Sequence, residues 1–269
     1  MTLLERSNGR YACRMTDHDG GRPGVPADSA DTDPAEEARA TRELLAVLTY
    51  AELTASFRLA EDASRAPGLT DKAALGAMAV AEFGHFQKLG ARLRELGADP
   101  DEATRPFTDA LDDWHARTAP KDWLESLVKA YVGDGIAADF YREVADGLDT
   151  PTRDLVREVL ADTGHADFAV EHVRAAIADD PGLAGRLALW ARRLVGEALA
   201  QAQRVAAEHP ALAMLVIRGA AVAGSGHATH VAHADHSAGD EGDLAGITRL
   251  FARLTDRHTE RMKRLGLSA

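Results

Sequence analysis

Aromatic residues make up only 5% of these 269 residues, and runs of β-branched residues bounded by turn signals are hard to find. Strands draw on both kinds of residue, so the shortage argues against a sheet. Cysteine is nearly absent: Cys13 stands alone and cannot form an internal disulfide, which points to a reducing compartment. No apolar run approaches the roughly 18 residues that a bilayer span requires, the longest lying at 73–81 and 211–217. The first residues carry charges but no continuous apolar segment behind them. The expectation is a cytoplasmic protein with no membrane contact.

Alanine, leucine, arginine and glutamate dominate instead, which favours an all-α fold. With 45% hydrophobic and 28% charged residues the chain has the composition of one globular domain with a substantial core. A net charge of −12 repels a polyanion at long range, so contact with nucleic acid would require a local basic patch. Arg249, Arg253, Arg257, Arg261, Lys263 and Arg264 recur at helical spacing against only Asp256 and Glu260. The plainer reading of that stripe is a solvated helix face.

Residues 1–34 are rich in Gly, Asp, Pro and Ser and lack apolar periodicity, which predicts a disordered N-terminal arm ahead of a helical domain over 35–269. Helical patterns follow over 34–65 and 70–96, separated by "APGLTD". Residues 97–119, with two prolines and several aspartates, read as an irregular crossover. Two further helices, 120–147 and 151–178, are joined by the short "DGLDTP". Two antiparallel hairpins linked by one long crossover is the ferritin-like four-helix arrangement. Three more helices, 183–208, 210–223 and 244–265, are expected to pack outside that core. Before the last lies a flexible His-rich insertion at about 224–243, with His227, His230, His233 and His236 at three-residue intervals.

Carboxylate-bridged di-iron bundles take one Glu from each of two helices and a Glu-x-x-His pair from each of the other two. Residues at i and i+3 share a helix face, so an acid and an imidazole so spaced reach one small cluster. "AEFGH" supplies Glu82 and His85, and "ADTGH" supplies Asp162 and His165. A third match, Asp112 and His115 in "LDDWH", falls in the crossover and reads as a loop coincidence. Register separates the matches. Glu52 and Glu82 each lie about fifteen residues from the first turn, and Asp134 and Asp162 each about fourteen from the second, so both hairpins bring an acid level with an acid-plus-His pair. Glu52, Glu82 and Asp134 also interrupt apolar surroundings, where an unpaired carboxylate is costly. Either a metal or ion pairs with Arg42, Arg58 or Arg142 would compensate them. Oxygen-rich donors with one imidazole per metal suit iron or manganese better than zinc. Tyr50, Tyr131 and Asp139 lie close enough in sequence to be outer neighbours of such a site.

Four segments, "YAELTASFRLAEDA", "MAVAEFGHFQ", "LVKAYVGDGIAADFYREVA" and "LADTGHADF", resemble the MiaE-type tRNA 2-methylthio-isopentenyladenosine hydroxylases and their shorter actinobacterial relatives, over about residues 40–200. The resemblance implies a non-haem di-iron centre held by Glu52, Glu82, His85, Asp134, Asp162 and His165, with Asp at two positions where the family carries Glu. It further implies oxygen-dependent hydroxylation of an unactivated C–H on a small or tRNA-borne substrate. No flavin or nicotinamide motif is present, so electrons would come from a separate reductase. The same ligands would also serve a ferroxidase or a peroxide scavenger, and a metal-free helical interaction module is a further reading. The apolar residues Leu187, Leu189, Trp190 and Leu194 suggest a homodimer face.

Overall fold

The computed structural model describes residues 33–145, 148–161, 165–225 and 238–268, all helical or in short connections with no strand among them. Helix α1 runs Pro34–Arg65 and α2 Leu69–Glu95. Asp33 starts α1 by accepting from the Ala35 amide at 3.0 Å, with Pro34 in the first turn and Glu36 and Glu37 facing the positive end of the helix dipole. The two helices form the expected hairpin. Leu44, Leu45 and Leu48 of α1 meet Leu89 and Leu93 of α2, all at most 1% exposed. Each such burial stabilises by about 1.5–3 kcal/mol relative to an exposed side chain.

The crossover is helical rather than irregular. Helix α3 covers Pro100–Arg117, capped by the Asp99 carboxylate, which accepts from the Asp101 and Glu102 amides. Pro100 thus opens a helix instead of marking a loop. Phe107 and Ala110 are buried and Leu111 is partly buried against the α1–α2 core.

Helix α4, Trp123–Ala145, is the central element, packing on α1 and on every helix that follows it. The fourth long helix expected over 151–178 is two helices, α5 at Thr150–Val159 and α6 at His165–Asp179. Asp149 caps the first of these through the Thr152 amide, and Leu160 closes it by returning its N–H to Val156. The "DTG" that follows has low helix propensity throughout. Asp162 falls in that segment and lies outside the described residues.

Helices α7 (Leu183–Glu208), α8 (Pro210–Ser225) and α9 (Ala238–Arg264) do not merely decorate the bundle. Leu187, Ala191 and Leu194 of α7 are fully buried with Val128 and Val132 of α4 and Met262 of α9, and Trp190 is 8% exposed. The apolar face expected to pair two copies is therefore used within the chain, leaving only Leu189 exposed. Helix α8 crosses α4 so closely that a Cβ at Gly219 would lie 2.5 Å from the Glu143 carbonyl oxygen. Helix α9 begins at Ala238 rather than 244. The four histidines of the His-rich tract, like residues 1–32, lie outside the described residues. No described helix is long and apolar enough to cross a membrane.

Candidate metal centre

Glu52 sits in the middle of α1, Glu82 and His85 one turn apart on α2, Asp134 on α4, and His165 at the first position of α6. These five meet. The His85 Nδ1 is 3.0 Å from Glu82 Oε2 and 3.6 Å from Glu52 Oε2. On the other side, the His165 Nδ1 is 3.3 Å from Glu82 Oε1 and 3.6 Å from Asp134 Oδ2. Glu82 thus turns one oxygen to each histidine, with Glu52 flanking the first and Asp134 the second. Glu52, Glu82 and His85 each offer a ligand atom within 4.8 Å of the others'.

The two sides differ in their cover. Glu52, Glu82 and His85 are buried at 9%, 9% and 8% exposure, whereas the Asp134 side chain is 49% exposed. Burial pushes the Glu52 carboxyl well above the ordinary carboxylate range. It opposes the charge of Glu82 too, but hydrogen bonds with His85 and Glu52 and the field of His165 outweigh it and hold that carboxyl low. Hydrogen bonds to Glu52 and Glu82 push the His85 imidazole up to about 9.

Alone, these groups offset burial by holding protons on Glu52 and His85. A cation is the other way to offset it, and the donor set fits one: carboxylate oxygens and imidazole nitrogens converging from both hairpins. Arginine does not do this work. Among the described residues none lies within ion-pair distance of Glu52 or Glu82; Arg58 pairs with Glu61 at 2.8 Å and Arg142 with Asp139 at 3.0 Å.

The remaining sequence candidates are placed elsewhere. The Tyr50 hydroxyl donates to Asp112 of α3 at 2.8 Å. Tyr131 is buried in the α4–α7 core. Asp139 is held by Arg261, Arg257 and Arg142 and not by the histidines. The basic stripe of α9 is largely paired within the chain. Arg253 and Arg257 meet Glu143 at 2.7 and 3.1 Å, Arg261 meets Asp139 and Arg264 meets Asp167 at 3.1 Å. A Cβ at Gly135 would come within 2.6 Å of the Arg261 Cδ, so glycine beside Asp134 lets that arginine reach over α4. Among the described residues of the stripe, Arg253, Arg257 and Arg261 turn to acids of α4, whereas Lys263 and Arg264 are at least half exposed.

The reading of "LDDWH" as a loop coincidence is corrected: it lies on α3, and His115 is buried at 9% exposure. With Trp114, Lys129, Arg58 and Asp134 it lines a cavity of about 130 Å³ that opens onto the Asp134 side of the cluster. Lys129 is the single charge in the apolar "SLVKAYV", a signal legible in the sequence that spacing between metal ligands does not reveal.

A family described as the ferritin-like domain of actinomycetes matches residues 35–219, more than half of the chain and all of the cluster. No curated protein matches the sequence.

Proposed function

We propose that this chain, which belongs to the ferritin-like domain family of actinomycetes, is a carboxylate-bridged two-metal oxidoreductase that uses dioxygen to hydroxylate an organic substrate. The observation that carries this reading is Glu82 standing between His85 and His165, with a further acid beyond each. Glu52 and His85 would hold one ion, Asp134 and His165 the second, and Glu82 would serve both, with Asp162 as the sixth ligand. Bound iron, or manganese, would supply the reduction of dioxygen, with electrons from a separate reductase.

The chain's own groups then have defined tasks. Burial of Glu52, Glu82 and His85 keeps water from one side of the centre. Asp134, being half exposed, is the side by which a substrate approaches, and the adjoining cavity favours an oxygenase over a ferroxidase, which needs no organic pocket. The kinship in reaction class is with the tRNA hydroxylases. Because Arg253, Arg257 and Arg261 of α9 are engaged by acids of α4, a free small molecule fits better than a tRNA-borne group.

Oxygen consumption by iron-loaded protein with a chemical reductant tests the reading. Uptake that rises with an added organic compound and yields a hydroxylated product is expected. Iron oxidation at the same rate with every compound, and no product, would make the protein a ferroxidase.

A further inference from the structure

The cavity beside Asp134 contains a buried charge that no carboxylate of its walls contacts directly. Lys129 is 6% exposed, and its ammonium stands 4.8 Å from the centroid of the Trp114 ring. No carboxylate among the described residues lies within ion-pair distance of it. The acids of α1 that share the cavity are already held: Glu61 by Arg58 at 2.8 Å, and Asp62 by Arg65 at 2.6 Å and by the Ser126 hydroxyl at 2.9 Å. His115 completes the wall with a buried Nδ1 that has no hydrogen-bond partner. A buried ammonium that has a ring face and the fields of Asp62 and Glu61 but no carboxylate at contact distance is costly to keep, as is a buried ring nitrogen left unpaired.

We infer that this cavity binds a small organic anion, its negative group paired with Lys129 and its flat body lying along Trp114 toward Asp134. Of the six charged residues that line the space, Glu61 and Asp62 are engaged by Arg58, Arg65 and Ser126, which leaves Lys129 as the buried cation with no direct ion pair. Its volume of about 130 Å³ suits a group of single-ring size. Gly133 permits the ring to lie there, because a Cβ at that position would meet the Trp114 Cη2 at 3.1 Å. Lys129 precedes Asp134 by five positions on α4. At 1.5 Å per residue that is about 7.5 Å along the axis, enough for a single ring between the ammonium and the metal-facing carboxylate. Burial holds the Lys129 amine down to about 8, and an anion beside it would restore its charge. His115, kept neutral at about 3 by burial and by Lys129 and Arg58, can donate a hydrogen bond to the same anion without competing for its charge.

Only the position of the far end of the ligand rests on the two-metal reading. The test therefore uses metal-free protein, titrated calorimetrically with benzoate, benzamide and benzylamine. Benzoate should bind at least tenfold more tightly than either of the others. Lys129→Met should bring benzoate down to the level of benzamide, while Glu82→Gln should leave the preference intact. Equal binding of all three, no binding of any, or a preference that survives Lys129→Met overturns the inference. If Lys129→Met does not fold, His115→Gln takes its place and should weaken benzoate severalfold while leaving benzamide unchanged. A benzoate preference in protein that takes up no metal would leave the pocket standing and remove the metal centre. Metal uptake without the preference would do the reverse.

Discussion

The two hairpins bring similar residues to one point in different ways. In the α1–α2 half, two continuous helices pack along their length and bury Glu52, Glu82 and His85. In the other half the helix facing α4 breaks after Val159, His165 starts a new helix, and the acid on α4 is the shorter Asp, half open to a cavity. That half adds ionic contacts to its apolar packing: Asp139 and Glu143, about one and a half and two and a half turns beyond Asp134, are held by arginines from α9. The contrast separates a buried wall from one that is half open at Asp134. Preorganisation on one side leaves the other free to carry access.

Four changes would break or sharpen that contrast. Glu82→Ala removes the residue common to both halves and should have the largest effect on metal binding. The parent should gain about 3 kcal/mol of stability at a hundredfold excess of metal over Kd, and the variant none, as read by thermal unfolding with added Fe(II) or Mn(II). Asp139→Ala leaves Arg261, 12% exposed, beside an unfilled carboxylate position. Loss of one partner of such a buried pair costs about 3–5 kcal/mol, measurable by urea denaturation, and the Glu52–His85 half should still bind metal. Asp134→Ala should strip only the open half, lowering bound metal toward one per chain with little change in stability.

The last change acts only in acid. His115 takes up a proton at about 3 when folded and near 6.5 when unfolded. Between those values the unfolded chain holds the extra proton, so stability falls as pH drops through the window. His115→Gln should flatten the stability curve there by about one proton's worth of slope and leave it unchanged above pH 7.

The two halves were not equally legible. The first hairpin could be read to within a residue or two, because apolar periodicity and "APGLTD" agree there. The crossover was misread because Pro100 and Pro106 look like breakers, although Asp-Pro at 99–100 is also a helix start and Phe107, Ala110 and Leu111 follow at helical spacing. The break before His165 was hidden by "ADTGH", whose i, i+3 spacing matches a ligand pair while its Asp, Thr and Gly disfavour a continuous helix. Five of the six candidate ligands could be brought together from register alone. What register could not supply was tertiary: the pairing of the α9 arginines with α4, the burial of the α7 face, and the cavity around Lys129, each depending on helices far apart in sequence.

If the cluster around Glu82 holds two metal ions, they should be found in the purified protein. The measurement is elemental analysis of tag-free protein from iron- and manganese-supplemented cells, with His227, His230, His233 and His236 replaced by alanine so that the His-rich tract contributes nothing. Two ions per chain, iron or manganese, are predicted. Less than a tenth of an ion per chain, with thermal stability unchanged by chelator, would contradict the account.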